Sequence, residues 1–110
     1  MAQKNHVKLT GKLGFDPEIR EIDTGRRVAR MSLATSERFK NADGELVDDT
    51  QWHTVVAWGS TANKVADQLT KGMNVTIEGR LVYRSYEGKD GSKRYVTEIV
   101  MSDFTILPTP

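Results

Sequence analysis

Apolar and polar residues alternate along most of this chain, and a period of two is typical of β-strands with one buried face. Residues 6–13 carry Val7, Leu9 and Leu13 at that spacing. Gly11 interrupts the segment and allows a bend or the close approach of another backbone. The pattern therefore predicts a first strand over residues 6–13.

A second alternating segment covers residues 26–36, where Ala29, Met31 and Leu33 face one side and polar positions face the other. Before it, the turn signals Asp16-Pro17 and Thr24-Gly25 leave residues 19–22 as a brief edge strand. After it, the polar residues 41–49 contain Asp43-Gly44, which predicts a hairpin loop.

Residues 52–58 are rich in aromatic and β-branched side chains and predict a third long strand. Alternation places Trp52 and Trp58 on the same face, together with Thr54 and Val56. The opposite face holds His53, Val55 and Ala57, which suit a core contact. Burial in the core is the ordinary role of a single tryptophan, but two on one face of this strand favour an exposed aromatic surface.

The period changes after Trp58. Apolar residues follow the spacing of an amphipathic helix, with Ser60 or Thr61 as its cap and Gly72 as its stop; they are Ala62, Val65, Ala66 and Leu69. Alternation resumes over residues 75–83, and Asp90-Gly91 turns the chain into a last strand over residues 95–101.

This order of elements predicts an all-β domain with one helix. Bent strands that contain glycine, with the helix between the third and fourth strands, favour a five-stranded Greek-key barrel of the OB type, although a small sandwich fits the pattern as well. The length of 110 residues suits one domain, which we place at residues 1–107, with 108–110 as a C-terminal end.

Composition excludes several kinds of chemistry. The chain has no cysteine, which excludes disulfides and thiolate chemistry. Its histidines, His6 and His53, fall on different strands without further ligands at metal-binding spacing, and no phosphate-binding loop or nucleophile motif is present. The acidic group between Asp16 and Asp23 is typical of a solvated surface. We predict no enzyme activity, no metal and no cofactor, and the lack of an apolar leader favours a cytoplasmic protein.

Aromatic and basic residues are interleaved in the middle of the chain, although the net charge is only +1. Such a layout suits a surface where unpaired bases stack while cations hold the phosphates. The aromatic candidates are Phe39, Trp52, Trp58 and Tyr86.

Several motifs in order resemble the bacterial single-stranded DNA-binding protein family, which has relatives in phages, plasmids and mitochondria. The resemblance covers nearly the whole chain. The segments that carry it are Gly11-Lys12-Leu13-Gly14 with Asp16-Pro17-Glu18, the stretch from Ser32 to Arg38, Trp52-His53 with Val55-Val56, Ile77-Glu78-Gly79-Arg80-Leu81 after Gly72, and Arg94-Tyr95-Val96-Thr97-Glu98.

The resemblance implies an OB-fold subunit that assembles as a homotetramer and covers single-stranded DNA, without sequence preference, during replication, recombination and repair. It matches the family's stacking positions to the four aromatic candidates and puts His53 near the subunit interface. The phosphate-contacting positions that it implies are Arg20, Lys71 and Arg84, with Arg38 and Arg94 as additions. It also implies a cytoplasmic, nucleoid-associated location in bacteria, or its organellar, phage or plasmid equivalent.

The chain departs from the family's pattern in two ways. Ser60, Val82 and Ser85 stand where relatives often carry a cation, which predicts weaker binding at moderate salt. The sequence also ends at Pro110 without the acidic tip through which relatives recruit enzymes, so partners recruited by such a tip are not expected of these residues. A truncated chain and a naturally short protein explain this end equally well.

Two other functions fit an OB module with exposed aromatic residues. One is a primosome-like accessory protein that binds single strands and a protein partner. The other is recognition of RNA or an oligosaccharide.

Overall fold

The computed structural model describes residues 4–23 and 25–108. Their elements are β1 (Val7–Leu13), β2 (Glu18–Asp23), β3 (Arg26–Lys40), β4 (Leu46–Trp58), α1 (Gly59–Gln68), β5 (Asn74–Glu87) and β6 (Lys93–Ile106). The strands form one sheet in the order β1-β5-β6-β4-β3-β2, and a further pairing of β1 with β3 closes five of them into a barrel. β2 extends the sheet at its edge. The predicted OB-type barrel is thereby confirmed.

The alternation in β3 and β4 determines which side chains fill the barrel. Ala29, Leu33, Val55 and Ala57 are all fully buried. α1 packs on β3, β4 and β6 through its buried residues. The rest of the core comes from Met31 of β3, from strands β1, β5 and β6, and from α1 with its C-cap residue; these residues are Leu13, Met31, Ala62, Val65, Leu69, Val75, Ile77, Ile99 and Met101.

The β3–β4 hairpin extends beyond this core. The β3–β4 ladder continues in unbroken register to the pair Lys40 and Leu46. The predicted loop over residues 41–49 is therefore too long. The turn is tight because the Asn41 side-chain oxygen accepts hydrogen bonds from the backbone N–H groups of Asp43 and Glu45, each at 3.0 Å, while Gly44 adopts a positive φ of 81°.

The prediction for the helix ends is wrong at both positions. α1 begins at Gly59, directly after β4, and Trp58 is the N-cap residue without a side-chain capping bond. Neither Ser60 nor Thr61 caps the helix, because the positive φ of Gly59 (59°) turns the chain from strand to helix without a loop. The helix ends at Gln68, so Gly72 (φ 88°) belongs to the turn that follows it. Ala66, which we predicted on the apolar face, is exposed.

The other strand boundaries agree only in part. β3, β5 and β6 continue four to five residues past the predicted ends at 36, 83 and 101, and β4 begins six residues before the predicted start at 52. The first strand begins one residue later than predicted, at Val7, and the edge strand over residues 19–22 lies within β2. Gly25 makes the expected reversal with a φ of 81°, while Thr24 lies outside the described residues. The same holds for residues 1–3 and 109–110, so the domain limits at 1–107 stay a prediction.

Candidate functional site

An open groove with a volume of about 400 Å³ runs over the outer face of the sheet. Five of the six strands contribute to it. Three arginines, two glutamates and two aromatic residues lie among apolar side chains; the lining residues are Glu18, Arg20, Val28, Arg30, Val56, Trp58, Arg84, Tyr86, Val96 and Glu98.

The strand register explains why residues so far apart in sequence meet here. Arg20 of β2 pairs with Val28 of β3, and Val28 pairs with Trp58 of β4. Directly paired residues point to the same face of a sheet. Arg20 and Trp58 therefore lie on the same face, one strand apart, and Arg84 and Tyr86 reach the groove from β5 on the other side.

The aromatic side chains of the groove are open to solvent. Trp58 is 44% exposed and Tyr86 is 53% exposed. Trp52 lies on the same face of β4, six residues earlier and about 20 Å along the strand, and is 62% exposed. The exposure of both tryptophans rules out burial in the core.

Phe39 occupies a different place from the other aromatic candidates. It pairs with Val47 near the tip of the β3–β4 hairpin, whereas Trp52 pairs with Ala34. Odd and even positions of a strand point to opposite faces, so Phe39 belongs by alternation to the face opposite Trp52. It is 49% exposed, and the structure does not bring it into the groove.

Arg84 is held in the groove by Glu98. Its Nε donates to one carboxylate oxygen of Glu98 at 2.8 Å, and its Nη2 donates to the other at 2.9 Å. These hydrogen bonds, and secondarily the charge of Glu98, raise the pKa of Arg84. Glu98 is buried, with 8% exposure. Since a guanidinium has five N–H donors, the pair leaves three for another ligand.

Glu98 had no predicted role, although the sequence carries a signal for it. The turn at Asp90-Gly91 sets the register of β5 and β6, in which Arg84 pairs with Val96. Glu98 is two residues further along the same face, and such diagonal neighbours are within reach of long side chains. Arg30 and Glu18, which also line the groove, were not predicted either.

The other predicted cations differ in their surroundings. Arg38 forms an ion pair with Asp48, with Nε 2.9 Å from a carboxylate oxygen. Arg94 pairs across strands with Tyr86 and lies 3.6 Å from Asp90. Both charges are therefore partly compensated. In the part of the chain that the structure describes, no carboxylate is within ion-pair distance of Arg20.

Lys71 and His53 lie outside the groove. The backbone N–H of Lys71 donates to the Asp16 carboxylate at 2.8 Å, which links the turn after α1 to the loop after β1. The Nε2 of His53 lies 2.9 Å from the hydroxyl oxygen of Thr35. The ring is half-buried on the core face of β4, so it already has a hydrogen-bond partner in the barrel.

Two further aromatic side chains are exposed on the β5–β6 hairpin. Tyr83 and Tyr95 are each 73% exposed. Both occupy the alternation opposite to Tyr86 and Arg84, and neither lines the groove. Their positions continue the alternation of the core face of β5 and β6, so the sequence pattern favours burial of both side chains.

The described residues contain neither a membrane-spanning helix nor a group of metal-binding side chains. Within residues 4–23 and 25–108, no helix is long and apolar enough to cross a membrane. In the same residues, no three His, Cys, Asp or Glu side chains are grouped so that they would hold a metal ion.

Comparisons with known proteins agree with one another. Residues 4–107 match the "Single-strand binding protein family". The "Single-stranded DNA-binding protein 1" of Chlorobaculum tepidum is 49% identical over 104 residues, which are 94% of this chain and 64% of that protein. The chain thus spans a little under two thirds of the length of this relative. A solved structure described as "Plasmodium falciparum SSB complex with ssDNA" has a TM-score of 0.88 at 30% identity and covers 98% of this chain and 100% of its own.

Proposed function

This chain belongs to the single-strand binding protein family, and from that premise we propose that it binds single-stranded DNA without sequence preference. The groove on the outer face is the observation that carries the proposal. Trp58 and Tyr86 are exposed there beside Arg20 and Arg84. The solved neighbour with a TM-score of 0.88 is itself described as a complex with single-stranded DNA.

In this mechanism aromatic rings stack on the bases, and arginines contact the phosphates. The rings of Trp58 and Tyr86 offer π-faces to unpaired bases, and every base has a π-face, so stacking tolerates any sequence. Arg20 and the three free donors of Arg84 are the contacts for phosphate. Trp52 extends the stacking surface along β4 beyond the groove. Arg38, Lys71 and Arg94 lie outside the groove and are assigned weaker phosphate contacts beyond it. Phe39 is on the opposite face of β3, so only a strand that passes around the tip of the β3–β4 hairpin would reach it.

Tryptophan fluorescence tests the proposal directly, because both tryptophans are exposed on the proposed path. Oligo-dT should quench the emission at low salt, and added salt should reverse the quenching steeply as counterions return to the phosphates. RNA of the same length and a neutral oligosaccharide are the comparison ligands. Equal or tighter binding of RNA, or quenching by the sugar alone, would instead support recognition of those ligands.

The Arg84–Glu98 pair provides a second prediction. Arg84→Met should weaken binding of oligo-dT by about tenfold or more, because a charged hydrogen-bonding group is lost and because the Glu98 carboxylate then faces the incoming phosphates without compensation. Adding Glu98→Gln should recover part of the loss. Binding is measured by fluorescence titration at several salt concentrations.

Arg38→Met is the matched control for this prediction. Arg38 also pairs with a carboxylate, through one hydrogen bond of 2.9 Å, but the pair lies on the exposed β3–β4 hairpin. Loss of an exposed ion pair costs little stability, and Arg38 lies outside the groove, so Arg38→Met should weaken the binding of oligo-dT much less than Arg84→Met does. Equal losses of affinity for oligo-dT in Arg84→Met and Arg38→Met would show that the groove contributes no more to binding than the hairpin does.

We also infer that the protein assembles as a homotetramer with His53 near an interface between subunits. One groove of about 400 Å³ covers a short length of DNA, and several linked grooves raise the effective concentration of each for the same strand. Light scattering should give four times the mass of one chain. A monomer at micromolar concentration would contradict this and would favour the accessory module, for which the exposed Tyr83 and Tyr95 offer a second surface.

The cellular role follows from the same proposal. A protein that covers single strands acts where they form, in replication, recombination and repair, and its location is that of the DNA, in a bacterial cytoplasm or its organellar, phage or plasmid equivalent. The prediction that the chain is not an enzyme is supported by its family.

A further inference from the structure

We propose that Gly14 positions Trp52 for stacking, because the absence of a side chain at residue 14 is what lets the edge of the indole ring lie against this residue. The proposal rests on the function proposed above and assigns a role in it to a residue that itself has no group to bind DNA.

The strand pairing brings the two residues together from opposite sides of β3. Trp52 pairs with Ala34 on β4. Gly14 follows β1, and its backbone N–H donates to the carbonyl of Ser32 at 2.9 Å. The two residues of β3 between them are small, so the indole can cross the strand and reach residue 14.

The geometry at Gly14 leaves no space for a side chain beside the edge of the ring. A Cβ at this residue would lie 2.5 Å from Cζ3 and 3.2 Å from Cη2 of Trp52, and the three nearest atoms all belong to that ring. The ring would have to move, since Cβ atoms do not approach other heavy atoms to 2.5 Å. Gly14 has no positive φ, so its backbone conformation does not itself require glycine.

Exposure shows what the arrangement achieves. Trp52 is 62% exposed even though the edge of its ring occupies the space that a Cβ at residue 14 would need. A large side chain held on one side and open on the other is restricted before a base arrives, which reduces the entropy lost on binding. A methyl group at residue 14 should lift the ring and remove this restriction.

A double-mutant cycle with oligo-dT tests the proposal. Gly14→Ala should weaken binding by about fivefold or more, as the loss of one stacking contact does. In a Trp52→Ala background, the same substitution should change the affinity by less than twofold, because the ring on which it acts is absent. An equal loss in both backgrounds, or no loss in the wild type, would overturn the proposal.

Two further measurements keep the test decisive. The chain has two tryptophans, so the Trp58→Phe variant leaves Trp52 as the only fluorescent tryptophan. In this background and without DNA, Gly14→Ala should increase the quenching of Trp52 fluorescence by acrylamide. Unchanged quenching would overturn the proposal. This result stands even if the wild type fails to bind oligo-dT, which would refute only the proposed function.

The second measurement applies if Gly14→Ala does not fold. Adding Trp52→Phe, which removes the outer ring atoms, should then restore folding; continued unfolding would contradict the role of the ring.

Discussion

Replacing Trp58 by alanine should weaken the binding of oligo-dT by about 5- to 150-fold, the range expected when one base loses its stacking partner. Trp58 lies in the groove beside Arg20 and opposite Tyr86, so a base stacked on its ring keeps its phosphate within reach of a cation. Tyr86→Ala should have a similar effect. Fluorescence anisotropy of a labelled oligo-dT measures both variants.

Tyr83→Ala is the matched control on the same strand. Tyr83 is even more exposed than Tyr86, but it points to the opposite face of β5. If the groove is the binding surface, its removal should leave the affinity within about twofold of the wild type. Equal losses for Tyr83→Ala and Tyr86→Ala would place the DNA elsewhere. Thermal unfolding of each variant separates loss of binding from loss of structure.

Gly79→Ala should destabilise the barrel by about 3 kcal/mol or more, as severe overpacking does, and lower Tm by roughly 10 °C or more. The new methyl group would overlap the carbonyl oxygen of Val100 and lie 2.9 Å from its carbonyl carbon. These atoms belong to the backbone of β6, so no side-chain rotation relieves the overlap. Differential scanning calorimetry measures the change.

Gly14→Ala serves as the control for this effect on stability. The three atoms nearest to its methyl group all belong to the side chain of Trp52, whose exposed side allows the ring to be displaced into solvent without moving any backbone. It should therefore cost far less than Gly79→Ala in Tm. A Gly79→Ala protein with the wild-type Tm would show that β5 and β6 separate easily at the register shift between Glu78 and Gly79.

The candidate site combines features that the sequence predicts to different extents. The shared face of Trp52 and Trp58 follows from the period of two, which any strand imposes on its side chains. The position of the Arg84 side chain depends on its contact with Glu98, and that contact depends on the register of the β5–β6 hairpin. Local sequence around Arg84 does not show it. The relation of Gly14 to Trp52 crosses a third strand and has no signal in local sequence.

Alternation also misled where the sheet leaves the barrel. Tyr83 and Tyr95 continue the core face of β5 and β6, and yet both are exposed. A strand face is buried only where another part of the chain covers it, and these hairpin segments extend past the region that the helix and opposite strands cover. The sequence pattern shows which side chains share a strand face, but not whether another part of the chain buries that face.

Local sequence specifies which strands and which helix form, although not all of their ends, because alternation, turn residues and helical spacing are local properties of the chain. It also determined the core positions Ala29, Leu33, Val55 and Ala57. The tertiary structure alone decided that β1 pairs with both β5 and β3 to close the barrel, and that five strands bring Arg20, Trp58, Arg84 and Tyr86 into one groove. Such pairings join residues distant in sequence, and their register is set by packing and hydrogen bonding between whole strands, which no local pattern specifies.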